Sequence, residues 1–146
     1  MKCMGVDLGK RRIGLALGES ESLMAWPLRT VEAGGDPFFA LDEVSEIAIE
    51  EGVGLVAVGL PINMDGSFGP SARAALRWKE AFEKMVPCRV ETADERLTTL
   101  SAHRELESMG MRANRHMRVV DQLSAVMILQ SAMEKERGRK SAGSGQ

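Results

Sequence analysis

Little in this chain could clip a fold together or hold a soft metal. Cysteine occurs twice, at Cys3 and Cys88, and histidine twice, at His103 and His116. Both cysteines lie inside apolar stretches, so buried reduced thiols are expected and a disulfide framework is not. No Cys/His spacing of the zinc-binding kind exists. No apolar run reaches transmembrane length, and the opening Met1-Lys2-Cys3-Met4 has no long hydrophobic leader core. Cytoplasm is therefore the expected location, with no membrane partner. An excess of positive charge is also missing. The net charge of −2 and pI near 5.8 argue against a protein that coats nucleic acid indiscriminately. They leave room for a nucleic-acid enzyme whose site acids offset local cations. No internal repeat is present.

What is there suits one ordinary globular domain: 146 residues, 44% hydrophobic and 27% charged. Residues 2–8 and 11–18 read as strands joined by a tight turn at Gly9-Lys10. Leu23–Val31 reads as a third, with Pro27 suggesting an edge. After the turn cluster Ala33–Pro37, Phe38, Leu41, Val44, Ile47 and Ala48 recur at helical spacing to about Glu51. Leu55–Leu60 is a continuous apolar run of the kind found in a parallel strand buried on both faces. A loop from Pro61 to Pro70 leads into a second amphipathic helix, with Ala72, Ala75, Leu76, Phe82, Met85 and Val86 on its inner side and Pro87 as its stop.

Cys88–Thr92 reads as the fifth strand. A helix capped by Thr98 or Thr99 is expected to run to Met109. Met111–Arg118 reads as a basic connection. A final helix is expected from near Val119 to about Arg137. The Gly/Ser/Lys/Arg-rich 138–146 segment is expected to be a disordered tail after a single domain spanning 1–137. A meander followed by strand–helix units implies a mixed α/β sheet with helices on its faces.

Acids stand where such a sheet would gather ligands, beyond the carboxyl ends of its parallel strands. Asp7 ends the first strand, where it is either a metal ligand or the acid of a hairpin turn. Asp94-Glu95-Arg96 follows the fifth strand, where alternation does not decide which acid turns inward. Asp121 sits early in the last helix, surrounded by Val119, Val120, Leu123, Val126, Ile128 and Leu129. The small Ser124 and Ala125 there would let that helix approach the sheet closely. Three carboxylates meeting at strand ends suit hard divalent cations such as Mg²⁺ or Mn²⁺. Two such ions about 4 Å apart could serve phosphodiester hydrolysis.

Four motifs in order carry a resemblance over roughly residues 2–134. They are Gly5-Val6-Asp7-Leu8-Gly9-Lys10-Arg11-Arg12-Ile13-Gly14-Leu15-Ala16, Val58-Gly59-Leu60-Pro61-Ile62-Asn63-Met64-Asp65-Gly66, Asp94-Glu95-Arg96-Leu97-Thr98-Thr99, and Asp121-Gln122-Leu123-Ser124-Ala125. With them the chain resembles the YqgF (RuvX) family, described as Holliday-junction resolvases and as pre-16S rRNA nucleases. Ser124 departs from the alanine usual there.

The resemblance implies an RNase H-like fold: a five-stranded mixed sheet, its first three strands antiparallel, flanked by helices. It implies a catalytic, metal-binding triad of Asp7, Glu95 and Asp121, and a metal-dependent endonuclease acting on precursor rRNA or branched DNA, as monomer or homodimer. Gly9, Lys10, Arg11, Arg12, Arg96 and Thr98 are candidates for nucleic-acid contact. Arg112, Arg115 and Arg118 could form a cationic rim or a solvated basic loop. The Asp-Leu-Gly turn also resembles the phosphate loop of the actin and sugar-kinase fold. That fold binds nucleotide between two such domains, and this length supplies one.

Overall fold

A computed structural model of the chain describes residues 1–97 and 114–144, with side chains for 1–96 and 122–139. The meander forms from β1 (Lys2–Asp7), β2 (Arg12–Glu19) and β3 (Met24–Glu32), antiparallel throughout. β4 (Leu55–Leu60) and β5 (Arg89–Asp94) then add in parallel, giving the order β3-β2-β1-β4-β5. This is the expected RNase H-like mixed sheet. β4 lies between two parallel neighbours and every one of its residues is buried, as its unbroken apolar sequence requires. Pro27 does lie on an edge strand. The β2–β3 register slips between Leu15 and Ala16, whose partners are Arg29 and Pro27, so Leu28 is the extra residue of a bulge.

Strand alternation sorts the core into two unlike faces. On one face Met4, Val6, Ile13, Leu15, Val56 and Val58 meet large side chains from two helices, α1 (Leu41–Glu51) and α2 (Pro70–Glu83). Val44 and Ile47 come from α1, and Trp78 and Phe82, stacked at 4.8 Å between ring centroids, from α2. Gly52, at φ +65°, closes α1 in the left-handed conformation with its N–H on the Ala48 and Ile49 carbonyls. The opposite face carries small residues, Cys3, Gly5, Ala16, Ala57, Gly59 and Ala93, under a long helix, α3 (Asn114–Ser144). A Cβ on Gly5 would lie 2.5 Å from the Ala125 carbonyl oxygen and 2.8 Å from Leu129 Cβ. Backbone therefore meets backbone here, and Ala125 and the buried Ser124 do allow the close approach expected of them.

Several boundaries differ from the sequence reading. The run from Phe38 opens as a 3-10 turn, Pro37–Ala40, nucleated by Asp36 accepting from the Phe38 N–H at 3.0 Å, and Phe38 is exposed rather than inward. α2 ends at Glu83, so Met85 and Val86 follow it, and Trp78 is the buried anchor that the inner-face reading left out. β5 runs on to Asp94. Asn114–Arg118 belong to α3, where a basic connection was expected.

At its other end α3 continues past Arg137 and through Gly138 to Ser144, where a disordered tail was expected. Long-range pairs hold that end against β5: Arg89 with Glu136, and Arg139 Nη1 donating to Glu91 Oε1 at 2.7 Å. The expected 98–109 helix, Arg112 and the two final residues lie outside the described residues. Cys3 and Cys88 are free thiols, Cys3 buried and Cys88 only half-buried. Among the described residues no helix is long and apolar enough to cross a membrane.

Candidate active site

The carboxyl ends of β1, β4 and β5 meet a cleft of about 470 Å³ whose outer wall is α2. Asp7 is the last residue of β1, and Glu95 is the first residue after β5, in a 3-10 turn. Each is 7% exposed and each lines the cleft. Alternation places Asp7 on the same face as Cys3 and Gly5, the face covered by α3. Glu95 reaches that face too. A Cβ at Gly59 would lie 3.5 Å from Glu95 Cδ and 2.5 Å from Ile128 Cδ1, so the missing side chain makes room for both the acid and the helix.

The two adjacent acids after β5 are sorted by Arg96. Asp94 accepts from the Arg96 backbone N–H at 2.9 Å, from Nε at 3.2 and 3.1 Å, and from Nη2 at 2.8 Å. These bonds hold the Asp94 carboxyl below the ordinary carboxylate range and raise the Arg96 guanidinium. Asp94 is thus turned to its arginine while Glu95 lines the cleft. Arg96 itself, a candidate for phosphate contact, spends its fork on Asp94. Its Nη1 lies against the Asn63–Ser67 turn, 3.6 Å from where a Gly66 Cβ would be. That turn is tied within itself by Asp65, whose carboxylate takes the Ser67 N–H at 2.9 Å and the Ser67 hydroxyl at 2.6 Å.

The backbone of Asp121 lies in α3, while its side chain lies outside the described residues. The helix register still says where that backbone goes. Ala125 abuts Gly5, and Leu129 and Met133 reach toward Gly18, the cross-strand partner of Cys3. Moving from Ala125 toward the start of α3 therefore moves along β1 toward Asp7. Four helical residues rise about 6 Å, and two strand residues advance about 6.6 Å. The turn of α3 that carries Asp121 is brought level with the end of β1. Among the described residues no three His, Cys, Asp or Glu side chains form a metal-holding group. At the strand ends the described carboxylates are the pair Asp7 and Glu95, while Asp36 lines the cleft from the turn before α1.

The cations divide. Lys10 is exposed and lines the cleft; Arg11 is exposed but does not line it. Arg12 turns along the sheet, its Nε 3.9 Å from Glu32. Gly9 lines the cleft, but its lack of a side chain is also demanded by the turn, since a Cβ would sit 2.5 Å from the Arg12 carbonyl oxygen. Thr98 lies outside the described residues. Sequence reasoning passed over the wall formed by Ser71, Ala74 and Arg77 of α2. Their three-residue spacing on a helix that follows a strand-end loop was the available signal.

The geometry can be set beside known proteins. A family model described as RuvX, Holliday junction resolvase, matches residues 1–135. A protein of Bifidobacterium longum subsp. infantis, named as a candidate pre-16S rRNA nuclease, is 44% identical over 150 residues, covering 94% of this chain and 99% of its own. A protein of Pelotomaculum thermopropionicum with the same name is 38% identical, covering 98% and 94%. Among solved structures, T. thermophilus RuvC in complex with a Holliday junction substrate superposes with a TM-score of 0.56 at 22% identity, over 94% of this chain and 96% of that one. That likeness bears on the fold.

Proposed function

The chain belongs to the RuvX family and is a nuclease, and we propose that it is a divalent-metal-dependent endonuclease that cuts structured nucleic acid in 5′-end processing of pre-16S rRNA. One observation carries the reading: two buried carboxylates, Asp7 and Glu95, share one cleft at the strand ends. The helix register brings the backbone of Asp121 to the same level. The described donors at the cleft are carboxylate oxygens without thiol or imidazole, a set that fits Mg²⁺ or Mn²⁺. Asp7, Glu95 and Asp121 would hold the metal. When bound, such a cation lowers the pKa of water and neutralises charge on the phosphate.

The chain's own residues do the remaining work. Gly59 leaves room for the Glu95 side chain, and Gly9 lets the β1–β2 turn close beside the cleft. Lys10 meets phosphate charge at its rim. The Arg96–Asp94 clamp fixes the turn that carries Glu95. The rRNA assignment follows the names of the 44% and 38% identical relatives. Resolution of four-way DNA junctions is the second reading, favoured by the description of the family model. A purely binding module is disfavoured by the intact acids. The site belongs to a cytoplasmic protein acting as monomer or homodimer.

A parallel cleavage assay on a precursor-rRNA fragment and a four-way DNA junction tests both readings. The rRNA fragment is expected to be the better substrate. Asp7→Asn and Asp121→Asn should each lower Mg²⁺- or Mn²⁺-dependent cleavage about a thousandfold, equivalent to ~4 kcal/mol, with the far-UV circular dichroism unchanged. Cleavage that survives both substitutions would remove the acids from the mechanism.

A further inference from the structure

The cleft extends well beyond the acids, and its far wall is built rather than incidental. Three segments distant in sequence line it: the β1–β2 turn at Lys10, the Gly35–Pro37 turn, and the first turns of α2. They are bonded to one another. The Gly35 N–H donates to the Lys10 carbonyl at 2.8 Å. Trp78 Nε1 donates to the Pro37 carbonyl at 2.9 Å, and Trp78 is fully buried and stacked on Phe82. Arg77 is the neighbour of that anchored tryptophan on the outward side of α2. It is exposed and lines the cleft, and among the described residues it has no carboxylate partner. The same holds for Lys10. A cleft of about 470 Å³ falls in the range of small-ligand sites, ~300–1,000 Å³. Its lining combines small and apolar residues such as Pro61, Ser71 and Ala74 with these two cations and one further carboxylate, Asp36, whose Oδ1 accepts from the Phe38 N–H at 3.0 Å.

We propose that Arg77, together with Lys10, binds the phosphodiester next to the one that is cut, making this arm of the cleft a subsite for the adjoining nucleotide. The inference rests on the nuclease reading and extends it. Asp7 and Glu95 at one end of the cleft would repel a polyanion, and a metal held there would account for the scissile phosphate. A neighbouring phosphate in the same cleft needs its own positive partners, and Arg77 and Lys10 are the cations placed there. Because Trp78 locks α2 to the Pro37 turn, Arg77 is held at a defined place in the wall. It therefore supplies register along the strand and no base readout.

The test measures binding and turnover on the precursor-rRNA fragment for Arg77→Gln, Arg77→Lys and Lys84→Gln. Lys84 is an exposed cation beyond the end of α2, away from the cleft, and controls for overall charge. Binding is read in EDTA, where no cleavage occurs, as a function of salt. Arg77→Gln should weaken binding and raise KM roughly tenfold, leave kcat within about twofold, and reduce the salt slope by ~0.7–0.9, one phosphate contact. Arg77→Lys should restore most of the slope, and Lys84→Gln should match wild type. A wild-type slope and Kd for Arg77→Gln would overturn the proposal, as would an equal loss in Lys84→Gln. If the wild type cleaves neither nucleic acid, the nuclease mechanism fails, yet the EDTA slopes still decide the role of Arg77.

Discussion

The two faces of the sheet are packed by different means. Under α1 and α2 the contact is made by large side chains, with Trp78 and Phe82 filling the space above Met4, Val6 and Val58. Under α3 the sheet has shed its side chains at Gly5, Gly18 and Gly59; helix backbone lies almost on strand backbone at Gly5, while Leu129, Met133 and Ile128 side chains fill the space at Gly18 and Gly59. Large interdigitated side chains give much apolar burial and tolerate small shifts by changing rotamer. The backbone contact at Gly5 gives less burial, but it fixes the height and register of the helix there, because nothing soft intervenes. The first face stabilises the fold and anchors the outer wall of the cleft. The second sets where the acid-bearing turn of α3 stands relative to Asp7.

Truncating the deep face should give the largest stability loss. Trp78→Ala is expected to cost ~3–5 kcal/mol, seen as a lower midpoint in urea unfolding. While it remains folded, its kcat should stay near wild type and its KM should rise, since the α2 wall loosens. A fall in kcat as large as that of Asp7→Asn would break the distinction between the faces.

Gly5→Ala should show the reverse pattern. The added methyl meets the Ala125 carbonyl, which cannot rotate away, so α3 must lift. Overpacking of this kind costs ~1–3 kcal/mol. A displacement on the order of 1 Å at the end that carries the proposed catalytic acids can cost about a hundredfold in rate. Gly59→Ala sharpens the point, because its first obstacle is the tip of Ile128, a side chain that can turn aside. Its kcat should fall less than that of Gly5→Ala. Equal effects would mean that backbone contact has no special role.

The smallest effect concerns the turn between the faces. Asp94 is held below the ordinary carboxylate range by Arg96. A depressed folded value stabilises the protein above the pH at which the unfolded carboxyl titrates, near pH 4, and that stabilisation is lost as pH falls through the folded value. Arg96→Gln should move the Asp94 carboxyl back up in a ¹³C-detected titration. It should also lower stability at pH 7 more than at pH 3. An unchanged Asp94 titration would show that the pair does not form in solution.

Much of this was legible along the chain. The run Leu55–Leu60 had no polar side to give solvent, so its place inside the sheet followed from composition. Pro27 could not sit in a central ladder, and it does not. Asp7 at the end of an apolar strand, beside glycine, marked a position that does line the cleft. The turns were less legible. Phe38 fitted a helical period but opens a 3-10 turn, because Asp36 caps it from one residue before Pro37. The Gly/Ser/Lys/Arg-rich 138–146 segment reads as a disordered tail, yet the ion pairs of Glu136 and Arg139 to β5 hold helical backbone on both sides of Gly138.

By itself the sequence determined the strands, the family motifs and the acids at element ends, because apolar periodicity and turn chemistry are local. Only the tertiary structure decided that Glu95 and not Asp94 lines the cleft, that Arg96 is taken up by Asp94, and that Arg77 stands in the wall. Alternation marks a side chain as inward or outward but does not say what lies beyond the end of a strand. That depends on helices arriving from elsewhere in the chain, at a height that Gly5 and Gly59 permit on one face and Trp78 fixes on the other.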